Sequence, residues 1–418
     1  MRTKDLLQKG FWVLLIRSLG AVFMLLMTLL FARWLGVKDF GLFSLGITIM
    51  TVIGVIARWG TDQVLLKQIG IYWNDNPNIA KGYAVSVIKS VSLISICLTL
   101  PIVIYHNDIA INIFNKPEFS SVLFWFALMV VPFSINYTIA ESYKGTCRPV
   151  MSSYLQNIVT PFVAIFIGVF LFYNDMIGLT FITQSYGLGV VVALISSLLL
   201  WKGVFSSIIQ TKTPLKIPLI EGWPMLLITS VALVMAWSDI FILGILATTE
   251  EVGIYAAASR VALVSTLFLV AMNSITAPKY AFLYKSGNII ELRRLWLNST
   301  KILIVLAVIP TFILLIYPEW IMSLFGEKFV SGAPILIVLV IGQFINVASG
   351  SVAYLLTMTG NEKYMRNIVF LSAIINIILS IVMFDFFGVI GVAISTAISI
   401  SISNILGLYF IKKKVFKF

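Results

Sequence analysis

The feature that most constrains this chain is a succession of apolar stretches, many longer than 18 residues. A helix needs about 20 apolar residues to cross a hydrocarbon layer of ~30 Å. The stretches are continuous rather than alternating, which argues against a spanning β-barrel and for helices that satisfy their own backbone groups. Composition agrees: 60% of the residues are hydrophobic and 11% charged, against roughly 25% charged in a soluble domain. The chain reads as an all-α polytopic membrane protein. Twelve spans are predicted, at 11–32, 40–60, 82–104, 120–140, 154–173, 177–201, 222–247, 252–275, 300–317, 332–356, 364–384 and 387–411. The first follows Arg2, Lys4 and Lys9, but its length and Arg17 fit a retained anchor better than a cleaved signal.

The formal charge of +12 raises the question of nucleic acid. Most of the 29 Lys and Arg residues fall in the N-terminal segment, the even-numbered loops and the C-terminal tail. That is the positive-inside bias of a membrane protein, with both termini cytoplasmic, and it leaves no case for nucleic-acid binding. Cys97 and Cys147 are not expected to pair, and no metal-ligand spacing occurs. There is no phosphate-binding glycine loop and no acidic catalytic cluster. The single histidine, His106, reads as a surface residue of an outer loop. The largest loop, 276–299, is basic and too short for a soluble domain. Transport without a cofactor, rather than catalysis, is the economical expectation.

The chain looks internally duplicated. Asp39-Phe40-Gly41-Leu42-Phe43-Ser44 matches Glu251-Val252-Gly253-Ile254-Tyr255-Ala256; Gly145-Thr146-Cys147-Arg148 aligns with Gly360-Asn361-Glu362-Lys363; Asp175-Met176-Ile177-Gly178 aligns with Asp385-Phe386-Phe387-Gly388. The offsets are similar across all three. Two six-helix lobes follow, 1–210 and 211–418, related by a pseudo-two-fold along the membrane normal, as suits alternating access. The stretch Thr211-Lys212-Thr213-Pro214-Leu215-Lys216-Ile217-Pro218 is expected to connect them. The paired acids are expected to open helices, where the macrodipole favours a carboxylate.

Five ionisable residues fall within the spans: Arg17, Arg58, Lys89, Asp239 and Arg260. Such residues usually face an interior, a partner or water. Arg17, Arg58 and Lys89 cluster toward the cytoplasmic side of the first half. Two readings stand for them: a cationic mouth that receives an anionic cargo, or snorkelling to headgroups. Asp239 and Arg260 are equally far from the turn joining spans seven and eight. They either form an interhelical ion pair or face the lumen, with Asp239 orienting Arg260 or carrying an ion. Asn136, Asn157, Asn273 and Asn346 are expected to bridge helices, and Pro132, Pro161 and Pro310 to bend them.

Ala32-Arg33-Trp34-Leu35-Gly36-Val37-Lys38-Asp39-Phe40-Gly41-Leu42-Phe43 resembles the first outer turn of bacterial polysaccharide exporters. Asp239-Ile240-Phe241-Ile242-Leu243-Gly244, Glu251-Val252-Gly253-Ile254-Tyr255, Leu324-Phe325-Gly326-Glu327-Lys328-Phe329 and Phe387-Gly388-Val389-Ile390-Gly391-Val392-Ala393 resemble later segments of the same group. Together they are similar to the Wzx-type O-antigen flippases, of the superfamily that also holds multidrug-and-toxin extrusion (MATE) antiporters and the lipid II flippase. The resemblance implies a MATE-like transporter of lipopolysaccharide biosynthesis in the bacterial inner membrane. It would act as a monomer on undecaprenyl-pyrophosphate-linked oligosaccharide, with a polysaccharide polymerase and a chain-length regulator as candidate partners. Arg17, Arg58, Lys89 and Arg260 would then line the path of the diphosphate and sugars, and Asp239 would serve ion coupling. Cationic residues in the first half favour an anionic cargo over the cations of a drug or metabolite antiporter. A non-transport scaffold for glycan assembly would have little use for them.

Overall fold

The structure is a computed structural model and describes residues 3–73, 75–205 and 216–416, with side chains left undescribed at 3–11, 205, 216–217, 224, 227–235, 274 and 278. The chain runs α1 (Thr3–Arg58), α2 (Thr61–Tyr72), α3 (Pro77–Ile104), α4 (His106–Asn112), α5 (Phe119–Gly145), α6 (Pro149–Asn157), α7 (Val159–Tyr173) and α8 (Leu179–Phe205). It continues through α9 (Lys216–Leu246), α10 (Thr249–Ala262), a 3-10 turn (Leu263–Thr266), α11 (Leu267–Lys285), α12 (Ile289–Ile316) and α13 (Pro318–Ser323). After a second 3-10 turn (Glu327–Gly332) come α14 (Ala333–Ala348), α15 (Val352–Met358), α16 (Glu362–Phe410) and a π-helical turn (Ile411–Val415). Among the described residues there is no strand, and nine segments are long and apolar enough to cross a membrane.

Two of those nine are continuous helices interrupted by a single glycine. Gly36 (φ 73°, ψ 177°) interrupts α1, between the first and second expected spans. Gly388 (φ 59°, ψ −142°) interrupts α16, beside the boundary expected between the last two. Both angles lie where a Cβ is disfavoured, so glycine makes each kink possible without a loop. The turn before α10 solves the same problem differently. Thr248 Oγ1 accepts from the Glu251 N–H while the Glu251 carboxylate accepts from the Thr248 N–H, a capping box. Glu251 thus opens its helix as the duplication reading expects.

The long basic loop expected at 276–299 is instead helical: α11 runs to Lys285 and α12 begins at Ile289. Hydropathy marks where a helix leaves the apolar layer, not where it ends, and the charged turns stay helical beyond it. Pro132 and Pro310 lie inside α5 and α12, as expected, and so does Pro101 inside α3. Pro161 instead sits in the first turn of α7, just after the helix breaks at Ile158.

The chain divides into two compact units, Met1–Leu233 and Val234–Phe418. The division falls within α9; the 210/211 boundary read from the sequence lies outside the described residues, as does the connector through Leu215. The start of α9 belongs with the first unit for a local reason. Gly222 carbonyl oxygen lies so near Gly60 that a Cβ there would sit 2.4 Å from it. Trp59 and Trp223 rings meet at 5.3 Å, and Gln68 donates to Glu221 at 2.9 Å.

Within the first unit α5 is central, packed by α1, α2, α3, α6 and α8; within the second, α14 holds the corresponding place against α10, α12 and α16. Both units expose large apolar side chains and bury small hydroxyl residues among an apolar core. Phe166, Phe170, Leu199, Phe312 and Phe386 are among the large exposed side chains. Ser90, Thr138, Ser395 and Ser399 are buried, each returning its hydroxyl to a carbonyl four residues back. In water the outer surface would be an aggregation liability; against lipid it is the required one.

Candidate functional sites in the two units

In the first unit the polar centre forms around the end of α1. Trp59 (φ 52°) and Gly60 (φ 69°) break the helix. The break sets Arg58, the last residue of α1, beside Asp62 in the first turn of α2, and Thr61 Oγ1 spans it by donating to the Arg58 carbonyl at 2.6 Å. Arg58 is only 6% exposed. Its Nε is 3.7 Å from Asp62 Oδ2, an ion pair too long for a hydrogen bond. The guanidinium carbon lies 4.1 Å from the centre of the Tyr137 ring, within cation–π range. Arg58 Nε and Nη1 are buried with no hydrogen-bond acceptor. Helix α5 then supplies Tyr137, Glu141 and Lys144 at i, i+4 and i+7, one face of the helix. Buried Glu141 accepts from Lys144 and, at 2.9 Å, from Gln156 of α6. Burial pushes the Asp62 carboxyl above the usual range; Arg58 offsets part of this and Glu141 adds to it.

Arg17 and Lys89, both exposed, part company. On α1 the exposed apolar residues Trp12, Leu19, Val22 and Leu26 form one stripe. At 3.6 residues per turn Arg17 projects roughly 180° from its centre. Arg17 shares the face of buried Met27, Phe31 and Ala32, and its charge acts on Tyr137. Lys89 projects within roughly 40° of Leu93, Ile96 and Leu100, all exposed. Arg58 therefore lies over Tyr137, Arg17 projects from the packed side of α1, and Lys89 projects from the exposed apolar side of α3.

In the second unit, Asp239 of α9 is the hub. Its Oδ2 accepts from Tyr255 Oη and from Thr396 Oγ1, both at 2.7 Å. Asn376 Nδ2 donates to Thr396 Oγ1 at 3.3 Å, and Asn376 Oδ1 accepts from Ser238 at 2.8 Å. The break at Gly388 brings Asn376 and Thr396, on opposite halves of α16, to the same carboxylate. Asp239 Oδ1 and, one turn after Asn376, Ser380 Oγ are buried without a hydrogen-bond partner.

Asp239 is not paired with Arg260. The Arg260 guanidinium instead lies 5.0 Å from the centre of the Trp237 ring. Trp237 and Asp239 point to nearly opposite sides of α9, and Tyr255 and Arg260 are about 140° apart on α10. Equal distance from a turn sets the height of two residues but not their rotation.

Chemically, the first centre offers guanidinium donors with no acceptor, which suits an oxyanion. The second offers one carboxylate among hydroxyl and amide oxygens, which suits a proton or a small hard monovalent cation. Among the described residues no group of three or more His, Cys, Asp or Glu could hold a metal.

Asp62, Glu141, Tyr137, Tyr255, Asn376, Thr396 and Ser380 were not singled out by the sequence. Asp62 and Glu141 lie just past the expected ends of spans two and four, so a count of charges within spans passes over them. The Arg58/Asp62 spacing of four was the available signal. Of the expected helix-bridging asparagines, Asn136 accepts from Ser197 of α8 and Asn346 from Asn404 of α16 at 3.1 Å. Asn157 instead donates within its own helix, to Ser153, and Asn273 Oδ1 is buried without a hydrogen bond.

Solved membrane transporters share this fold. The inward closed conformation of the lipid II flippase MurJ superposes with a TM-score of 0.76 at 17% identity, covering 95% of this chain and 87% of that one. An inward-facing multidrug resistance MATE family transporter gives 0.76 at 14% identity, covering 97% and 98%. In sequence, the "Probable low-salt glycan biosynthesis flippase Agl15" of Haloferax volcanii is 27% identical over 184 residues, 43% of this chain but only 38% of that protein. An uncharacterized membrane protein of Methanocaldococcus jannaschii is 24% identical over 99% of this chain and 85% of its own length. The polysaccharide biosynthesis protein family matches residues 6–278, more than half of the chain, and the chain belongs to that family.

Proposed function

We propose that this protein flips a polyprenyl-diphosphate-linked oligosaccharide between the leaflets of a membrane, and specifically an undecaprenyl-pyrophosphate-linked O-antigen repeat unit across the bacterial inner membrane. In this reading twelve spans form two six-helix lobes with both termini cytoplasmic, and the lobes alternate access. The observation that carries it is Arg58, buried with two idle donors beside Tyr137. A buried guanidinium without acceptors is costly; a diphosphate supplies charge and acceptors together. Sugar hydroxyls would cross in a hydrated path, since each left unpaired in hydrocarbon costs roughly 2–7 kcal/mol, while the polyprenyl tail stays in lipid.

Arg17 and Arg58 receive the diphosphate. Arg260, turned to Trp237, meets the cargo from the second unit. Lys89, among exposed leucines and isoleucine, serves the headgroup region. Asp239 binds the coupling ion, with Thr396, Asn376 and Tyr255 oxygens around it. A polymerase and a chain-length regulator would take the exported unit.

A cation antiporter of the same fold is the rival reading. Expression in a host whose surface glycan depends on this protein separates them. Restored glycan without added resistance to cationic dyes supports the flippase; dye resistance with no restored glycan overturns it.

A further inference from the structure

The Arg58–Asp62 contact is an unusual ion pair. An arginine held for structure normally meets its carboxylate through short forked hydrogen bonds. Here the nearest approach is 3.7 Å, and Nε and Nη1 donate to nothing. Asp62 meanwhile spends Oδ1 on the N–H of its own neighbour Gln63 at 2.9 Å. Neither partner is saturated by the other, so the guanidinium is free to exchange acceptors while the carboxylate stays behind.

The surroundings decide what happens to that carboxylate. Asp62 is 6% exposed. From α1 it faces Arg58. From α5 it faces Glu141, whose own partners are Lys144 and Gln156, and the Tyr137 hydroxyl shares this field with Arg17. On the α3 side α2 packs through Ala80, Ala84, Val87 and Val91, with Tyr83 stacked on Tyr72. From α9, Glu221 bonds Gln68 farther along α2. The two charges that act on Asp62 are thus one guanidinium and one like-charged carboxylate.

We infer that Asp62 is a stand-in anion which Arg58 exchanges for the cargo's diphosphate, and that Asp62 takes up a proton as the exchange occurs. This rests on the reading that Arg58 grips the diphosphate. When a phosphate oxygen accepts from Arg58 Nε and Nη1, the guanidinium charge is spent on the cargo. A buried carboxylate left with Glu141 as its charged neighbour cannot stay ionised cheaply, and its titration is already displaced upward by burial. One proton passes from solvent to a carboxylate oxygen of Asp62, and no other bond changes. Release runs the steps in reverse: Asp62 loses its proton, pairs with Arg58 again and displaces the diphosphate. Asp62 is therefore a positioning residue that makes cargo capture proton-linked on the first unit, separate from any ion held by Asp239.

The test is calorimetry of a short, soluble polyprenyl diphosphate binding to the full chain in nanodiscs, in buffers of different ionisation enthalpy. Wild type is expected to take up about one proton per ligand, with affinity falling up to about tenfold per pH unit above the Asp62 titration. Titration of the ligand itself gives the opposite sign, because binding to cations favours the deprotonated phosphate. Asp62→Asn is expected to bind as tightly as wild type does at low pH, with no proton uptake. Glu141→Gln is expected to retain uptake. No uptake by wild type, or undiminished uptake by Asp62→Asn, overturns the exchange even if every variant binds. Unchanged affinity in Arg58→Gln overturns the underlying assignment of Arg58, so the two failures are distinguishable.

Discussion

Thr396 donates a 2.7 Å hydrogen bond to Asp239 across 157 positions of sequence, and the same hydroxyl accepts from Asn376 on the other side of the Gly388 break. The carboxylate is thus bound to a helix pair whose geometry depends on one glycine. Its second oxygen is buried and unpartnered, and the proposed coupling ion would bind there. Asp239→Asn is expected to abolish dependence of transport on an imposed ion gradient while leaving diphosphate binding within about twofold of wild type. Transport assays at varied Na⁺ and pH gradients check this.

Arg17 and Lys89 should behave differently although both are exposed cations of the first unit. Arg17→Gln removes a charge proposed to meet the diphosphate and is expected to lower transport at least about tenfold, the value of one charge-assisted contact of roughly 1.5–3 kcal/mol. Lys89→Gln, on the face of Leu93, Ile96 and Leu100, is expected to stay within about twofold. Equal losses, measured as initial rates at matched protein levels, would count against the assignment.

How far the sequence revealed these sites depended on what it encodes locally. The break at Gly36 was legible because Leu35-Gly36-Val37-Lys38-Asp39 interrupts an apolar run with a glycine and charges. Arg17 and Arg58 were legible because charge inside an apolar run is conspicuous. The partners were not: Asn376 and Thr396 reach Asp239 only because α16 folds at Gly388, and small polar residues are ordinary in such helices. Of the two readings open for Asp239 and Arg260, the ion pair failed because hydropathy carries no rotation. Trp237, two residues from Asp239, takes Arg260 instead.

Tyr255 and Thr396 both donate to one carboxylate oxygen. Tyr255→Phe is expected to cost about 1–3 kcal/mol of stability, since it removes one donor to a buried carboxylate. It should also reduce the apparent affinity for the coupling ion less than Asp239→Asn does. Thermal unfolding in detergent with and without the ion reads both quantities.

Gly36 and Gly60 share a positive φ but not a neighbourhood. Nothing lies near a Cβ at Gly36, whereas at Gly60 it would strike the Gly222 carbonyl. Gly36→Ala is expected to cost only the conformational strain, about 1–3 kcal/mol. Gly60→Ala, which also forces α2 and the start of α9 apart, should cost clearly more and disturb the Arg58–Asp62 contact. The ratio of the two melting shifts is the check.

The most direct measurement is flipping of an undecaprenyl-pyrophosphate-linked oligosaccharide in liposomes that contain only this protein, read by exposure of the glycan to an impermeant glycosidase. The account predicts transfer by wild type, and little or none by Arg58→Gln or Arg17→Gln reconstituted to the same density. Absence of transfer by wild type, or full transfer by the doubly substituted protein, would contradict it.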